Sequence, residues 1–346
     1  MGATTVATES TPAIPAYTAS PPKTKGTNSI DTIFRHLSDE QIEIAARSSY
    51  RYFVSSTNGN ASEEDRDKHA KAMIFRYLQA EQKVHPNSPS EQWEAAALDK
   101  MKKTLAFRVE KNVDDIRLCF DKTHSSSSSS SENEEEKKAD DSYEEEKRKE
   151  RTRIRKGLED RFQNGASVVR GYTKDGRALF LNFPRTETSW NEEFFIAGNI
   201  YTIERALACT ERNTDGEKSK IVVMYDYNEY AMKNSPPTQL VKKLLYNLRD
   251  HWPERLEHVF VVDAPFIFRA FWAVIKHFID PITKDLVQFV TGEEMKRKVF
   301  SEIVSEEHAT PWMLAEGKNA EDADMQKYLR DIPFDYAYGE KFSGPI

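Results

Sequence analysis

A chain of 346 residues, 38% hydrophobic and 31% charged, is long enough to build two domains around real cores. Its 50 basic and 57 acidic side chains leave a formal charge of −7, which excludes the basic surplus that replaces counterions along nucleic-acid phosphates. Two cysteines, Cys119 and Cys209, cannot form a disulfide framework, and with no secretory apolar segment they predict a reducing, intracellular setting. No run approaches about 18 uncharged apolar residues, so no membrane-spanning helix is expected.

Residues 1–29 are rich in Thr, Ser, Ala and Pro without an apolar period, and read as a disordered leader. Gly2 is followed by Val6 where a myristoylation motif wants Ser or Thr. Lys23 and Lys25 are the leader's only basic residues, which does not fit a transit peptide. Residues 30–122 read as a small all-helical lobe. Ser38-Asp39-Glu40-Gln41 caps a helix carrying Ile42, Ala45 and Tyr52. A second helix, about 62–82, carries Ala70, Met73, Ile74, Tyr77 and Leu78 at helical spacing, and a third, capped by Ser90, carries Trp93, Ala97, Leu98, Met101, Leu105 and Phe107.

Residues 123–155 form a Ser-rich and charged insert: a seven-serine run at 125–131, then a block dominated by Glu, Lys and Asp. Glu134/Lys138, Glu144/Arg148 and Glu145/Lys149 sit four apart, so the block can be a solvated helix, loosely attached because it lacks an apolar face. Residues 156–315 change period, and 316–346 are a tail. Val168–Tyr172 and Ala178–Phe183 flank Lys174-Asp175-Gly176, a hairpin signature. A helix over about 192–211 follows. Short apolar runs at 221–225, 259–262 and 286–290 then alternate with helical stretches. The fold class expected is α/β, a mostly parallel sheet covered by helices behind the helical lobe. Thr291-Gly292-Glu293-Glu294 reads as a capping box for a last helix.

Enzyme signatures are missing: there is no G-x-G-x-x-G, P-loop, G-x-S-x-G, H-E-x-x-H or C-x-x-C. The eight histidines are scattered, which gives no metal site, and no cofactor is expected. Asp226 and Asp263 follow strands, where carboxylates either catalyse or hold loop turns. The informative segment runs from Ala264 to Pro281, where Phe266, Phe268, Phe271, Trp272, Val274, Ile275 and Phe278 leave few polar positions. A helix apolar all round cannot keep one face in water, and about fifteen residues do not span a bilayer. A buried core helix, an interfacial helix and a lid over an apolar cavity all remain open.

His251-Trp252-Pro253-Glu254-Arg255-Leu256, Asp263-Ala264-Pro265-Phe266 and Lys276-His277-Phe278-Ile279-Asp280-Pro281-Ile282-Thr283 resemble, in order and spacing, the "YPERL", "NAP" and "KPFLDP.T" segments of the CRAL-TRIO lipid-binding family. Gly171–Arg177 is similar to that family's entry hairpin. Phe75-Arg76-Tyr77-Leu78 and Met101–Arg108 are similar to its helical N-terminal lobe. The resemblance implies a non-catalytic carrier of one lipid, with 266–279 as a gate helix hinged at Pro265, Asp280 and Pro281. Tyr201, Glu204, Arg205, Met224 and Val261 become pocket candidates, with Arg205 either pairing a phosphate or sitting on a helix surface. It implies a monomer that binds a phospholipid and touches a membrane surface transiently from the cytoplasm. Gln79-Ala80-Glu81-Gln82 and Thr310-Pro311-Trp312-Met313 replace the cations of phosphatidylinositol-binding members, Lys83 lies out of register, and these departures count against that ligand. The alternatives are a scaffold of the same fold that docks a protein partner through its acidic insert, and an esterase acting on the lipid.

Residues 125–150 hold ten acidic and five basic side chains, so −5 of the −7 resides in the insert and −2 in the remainder. A body so near neutrality is not strongly repelled by anionic membranes.

Overall fold

The computed structural model describes residues 26–120, 134–188, 190–279 and 281–318. The serine run, most of the leader and nearly all of the 316–346 tail lie outside the described residues. Helix α1 (Gly26–Phe34) already starts inside the expected leader. It is followed by α2 (Asp39–Arg47), α3 (Tyr50–Thr57), α4 (Glu63–Val84), α5 (Ser90–Glu110) and α6 (Val113–Leu118). Ser38 caps α2 through a reciprocal box with Gln41, and Ser62 caps α4 by accepting from the Asp65 N–H. Pro89, not Ser90, is the N-cap of α5, because Ser90 has already entered the helix. Ile42, Ala45, Ala70, Ile74, Leu78, Ala97 and Met101 join in a core of their own, with the apolar periodicities of α2, α4 and α5 turned toward one another.

Helix α7 (Glu134–Phe162) runs through the expected 155/156 boundary. Its carboxy-terminal half is anchored: Ile154, Leu158 and Phe162 are buried in the main core. Arg151 bonds Asp115 at 2.7 Å, and Arg153 bonds Glu193 at 2.6 Å. The expected loose attachment therefore does not extend past about residue 150, because an apolar i, i+4, i+8 stripe begins at Ile154.

Among the described residues five strands lie in sequence order: β1 (Ser167–Tyr172), β2 (Ala178–Asn182), β3 (Ile221–Asp226), β4 (Leu256–Val262) and β5 (Val287–Val290). Among the described strands β1 and β2 pair antiparallel and the other three pairings are parallel. The β1–β2 turn needs Gly176, whose φ is 88°. Helix α8 (Glu192–Asn213) crosses from β2 to β3 and is buried over most of its length. Helix α9 (Thr238–His251) crosses to β4, and α10 (Phe266–Ile275) and α11 (Pro281–Asp285) cross to β5. The last helix, α12 (Glu293–Ile303), starts from Gly292 with no side-chain cap. The capping box expected at Thr291 is absent because Gly292, at φ 83°, takes the N-cap position one residue later. The mostly parallel, helix-covered sheet behind a helical lobe is the fold class the sequence implied.

Candidate ligand-binding site

The pairing register decides which side chains share a face, because residues paired across a sheet point to the same side and neighbours along a strand to opposite sides. One rung reads Ser167–Asn182–Tyr225–Val261–Phe289. The adjacent rung reads Leu181–Met224–Phe260–Gln288. Met224 and Val261, both pocket candidates, therefore lie on opposite faces of the sheet. Met224 belongs with Phe260, whose ring meets Phe300 of α12 at 5.4 Å, with Trp312 a further 5.9 Å on. That face is filled by the protein itself.

Helix α10 closes the Val261 face. Phe268 and Ile275, one heptad apart, turn inward and are buried. Phe268 lies 4.5 Å from Tyr227, 5.6 Å from Phe271 and 6.1 Å from Phe289, and Trp272 lies 5.3 Å from Phe289. The outer side is also apolar: Phe266 is 83% exposed and Val274 48%. Helix α10 ends at Ile275, so Phe278 sits in the following turn, packed 5.8 Å from Tyr246 of α9 beneath the Lys242 ammonium. The 266–279 unit is thus a ten-residue helix and a turn, shortened because the Lys276 and Phe278 N–H groups close back on Trp272 and Ile275.

Pro265 is the N-cap of α10 and Pro281 opens α11; Asp280 lies outside the described residues. The turn at the amino end of α10 is held at Asp263, whose φ is 48°. Its carboxylate accepts from the Gly292 N–H at 3.2 Å and from Lys296 Nζ at 2.9 Å. Asp226 likewise accepts from the Asn228 N–H and pairs with Arg185. Both carboxylates therefore hold turns, the second of the two roles open from sequence.

The α8 candidates go elsewhere. Tyr201, Glu204 and Arg205 are buried against the helical lobe and α7 rather than lining the α10 space. Tyr201 packs on Phe120 and Phe162, Arg205 donates to the Tyr201 hydroxyl, and Glu204 binds Arg108 of α5. Arg205 is thus neither a surface residue nor a described phosphate ligand. The reason is that α8 is covered on its outer side by α3, α6 and α7, which its sequence does not reveal. Lys83 is held by Glu254 at 2.5 Å.

Three residues of the α10 face had no place in the sequence reading: Asn182, Tyr225 and Tyr227. Burial pushes the Tyr225 hydroxyl up to about 12. Tyr227 is raised further by burial and by the neighbouring Tyr225 and Tyr230. The 221–226 run is apolar on both faces, so it carries no alternation from which Tyr225 could be assigned to a side. Among the described residues no group of three or more His, Cys, Asp or Glu is placed to hold a metal. None of the helices there is long and apolar enough to cross a membrane.

Comparison with known proteins gives this geometry a family. A CRAL-TRIO domain-containing protein of Schizosaccharomyces pombe, C23B6.04c, is 24% identical over 132 residues, 38% of this chain and 13% of that one. Phosphatidylinositol transfer protein CSR1 of Eremothecium gossypii is 27% identical over 158 residues, 41% of this chain and 34% of the relative. Phosphatidylinositol transfer protein PDR17 of Saccharomyces cerevisiae is 25% identical over 130 residues, 35% of each. The similarity thus spans about a third or less of each relative. The crystal structure of Sfh5 superposes over 87% of this chain and 91% of its own, at 14% identity and a TM-score of 0.48. The CRAL/TRIO domain family matches residues 162–308, from the end of α7 through β1–β5 and α10 to the segment after α12. Residues 162–308 of this chain are a CRAL/TRIO domain.

Proposed function

We propose that this chain binds one phospholipid between α10 and the Tyr225–Val261–Phe289 face of the sheet, and carries or presents it at a membrane surface without chemically altering it. The observation that carries this reading is α10 itself. It is apolar toward the sheet through Phe268 and Ile275 and apolar toward solvent through Phe266 and Val274. A helix that only sealed a core would gain from charges on its outer face. A gate that meets acyl chains when open needs apolar residues on both sides. Each methylene moved from water into such a space contributes roughly 0.8 kcal/mol, so tight binding needs few polar contacts. Domain relatives named as phosphatidylinositol transfer proteins support a lipid ligand. Phosphatidylinositol is the poorer fit here, because Lys83 is committed to Glu254 and the neighbouring stretch is Gln79-Ala80-Glu81-Gln82. The absence of a membrane-crossing helix among the described residues fits transient contact with a membrane.

The test is native mass spectrometry after incubation with phosphatidylcholine vesicles, alongside fluorescent-lipid exchange between vesicles. One lipid per chain is expected, and Phe271→Asp should lower exchange by at least about tenfold by placing a charge against the apolar space. Phe266→Asp should leave the melting temperature unchanged, as surface substitutions generally do, while weakening vesicle association. A chain that takes up no lipid from any vesicle, or a Phe271→Asp variant that exchanges lipid normally, refutes the reading.

A further inference from the structure

The rung beneath α10 is apolar at Val261 and Phe289 but polar at Asn182 and Tyr225. Asn182 is 8% exposed. Its Oδ1 accepts from the Ser167 hydroxyl at 3.0 Å, while its Nδ2 is buried without a hydrogen-bond partner. Turning the amide over exchanges the two atoms and leaves the other one unpaired. The hydroxyls of Tyr225 and Tyr227 make no hydrogen bond among the described residues, and their rings lie 6.3 Å apart below Phe268. Buried polar groups are almost always paired, and an unpaired one is costly. The buried Asn182 Nδ2, with the hydroxyls of half-buried Tyr225 and Tyr227 on the same face beneath the helix assigned as a gate, therefore points to a ligand group that completes it.

We propose that Asn182, Tyr225 and Tyr227 form a polar subsite that binds an oxygen acceptor of the lipid, either a glycerol-ester carbonyl or a phosphodiester oxygen. The assignment rests on the carrier reading above and refines it. The two hydroxyls, and the Asn182 amide in the orientation that accepts from Ser167, offer uncharged donors, which matches an acceptor oxygen and gives no preference for additional anionic charge on the ligand. The adjacent Arg185 is drawn off by Asp226 at 2.5 Å. Polar selection then acts on the oxygens shared by phospholipids, and the surrounding Val261, Phe268 and Phe289 accept the chains.

The test uses the full chain carrying Tyr225→Phe and Tyr227→Phe together, which removes two oxygens and nothing else. Loading is followed by native mass spectrometry from vesicles containing either diacylglycerol, which has ester carbonyls and no phosphate, or ether-linked phosphatidylcholine, which has a phosphodiester and no ester carbonyl. The double variant should lose about tenfold in loading, the scale expected for two hydrogen bonds, of whichever lipid carries the contacted oxygen. A loss confined to diacylglycerol identifies the carbonyl, and one confined to the ether lipid identifies the phosphodiester. Adding Asn182→Asp, which keeps an acceptor for Ser167 but exchanges the amide donor for a second acceptor, should lower loading further. Without ligand, the double variant should melt no lower than the wild type, since each hydroxyl lost is unpaired. Wild-type loading of both lipids by the double variant overturns the subsite and leaves the carrier reading standing. A marked fall in its ligand-free melting temperature overturns it too, by showing that the hydroxyls have partners within the protein. A wild-type chain that loads neither lipid overturns both readings together.

Discussion

Arg108 of α5 and Glu204 of α8 are joined by two hydrogen bonds, 2.8 and 3.4 Å long, across 96 residues of sequence, and neither side chain is more than 6% exposed. Trp252 Nε1 donates to the same carboxylate at 3.0 Å, and Arg117 Nε lies 3.7 Å from it. This buried cluster ties the helical lobe to the CRAL/TRIO domain. Burial opposes ionisation of Glu204, but Arg108, Arg117 and the indole outweigh it and hold the carboxyl down to about 2.

Removing that carboxylate strands the buried Arg108 guanidinium, whereas Arg117 keeps Asp114 and the Arg47 carbonyl. Glu204→Gln should therefore cost about 3–5 kcal/mol, read as a lower urea midpoint. Pairing it with Arg108→Met should recover part of the loss, because that removes the stranded charge. The same group predicts an acid transition. With its folded pKa depressed from 4.5 to about 2, its stabilisation is complete above pH 4.5 and is lost as pH falls from there toward 2. An unchanged urea midpoint for Glu204→Gln would contradict the role given to this pair.

His251 makes the lobe contact sensitive to milder acid. Its ring stacks on Phe107 at 3.8 Å, and Nδ1 lies 2.9 Å from the Thr104 hydroxyl. Burial, only partly offset by Asp250, pushes it down to about 4 from 6.5. The unfolded chain thus binds the proton first, and stability should decline as pH drops from 6.5 toward 4. Thermal melts across that range should show the decline, and His251→Gln should flatten it. A variant with the wild-type pH slope would rule His251 out as its source.

At the α7–α8 crossing, Gly198 reverses the usual effect of replacing a helical glycine. A Cβ there would lie 2.8 Å from Arg161 Cδ and Nε. Arg161 is itself buried and bonded to Glu187 at 2.7 Å. Alanine ordinarily gains about 1 kcal/mol over glycine inside a helix. Here Gly198→Ala should instead destabilise by about 1–3 kcal/mol through overpacking. A gain in melting temperature would show that α7 does not press on α8 at this point.

Asp263 holds the turn that leads from β4 into α10. Asp263→Asn retains a residue type suited to φ 48° and an acceptor for the Gly292 N–H, but loses the charge facing Lys296. Asp263→Ala loses all three. Chemical denaturation should rank the wild type above Asn and Asn above Ala, with Ala about 2–3 kcal/mol below the wild type, because the buried lysine keeps only the exposed Glu293 carboxylate and the backbone is strained. Equal stability of the two variants would mean the backbone and hydrogen-bond terms contribute nothing.

Much of the architecture was readable along the chain because its signals are local. Ser38 and Gln41 announce a helix start through a reciprocal box of nearby groups. Met73, Ile74, Tyr77 and Leu78 announce a buried helix face by their spacing alone. The apolar runs of β3 and β4 announced strands, and the 264–281 segment announced a helix too apolar for an aqueous surface. None of these needed a distant partner.

The site was less readable, for a physical reason. Strands buried on both faces carry no alternation, so nothing in Val223-Met224-Tyr225 says which of them faces α10. Register across four strand pairings makes that choice, and it sends Met224 to one side and Tyr225 and Val261 to the other. Arg205 and Glu204 read as helix residues open to a ligand until α3, α6 and α7 cover α8. Lys296 carries no sign along the chain that Asp263, 33 residues away, holds it. Periodicity and capping depend on neighbours in the chain, so the elements, their order and the apolar character of α10 were legible from the residues alone. Which side chains meet beneath α10, and which hold the lobes together, depends on contacts between residues far apart in sequence, and these appear only in the folded chain.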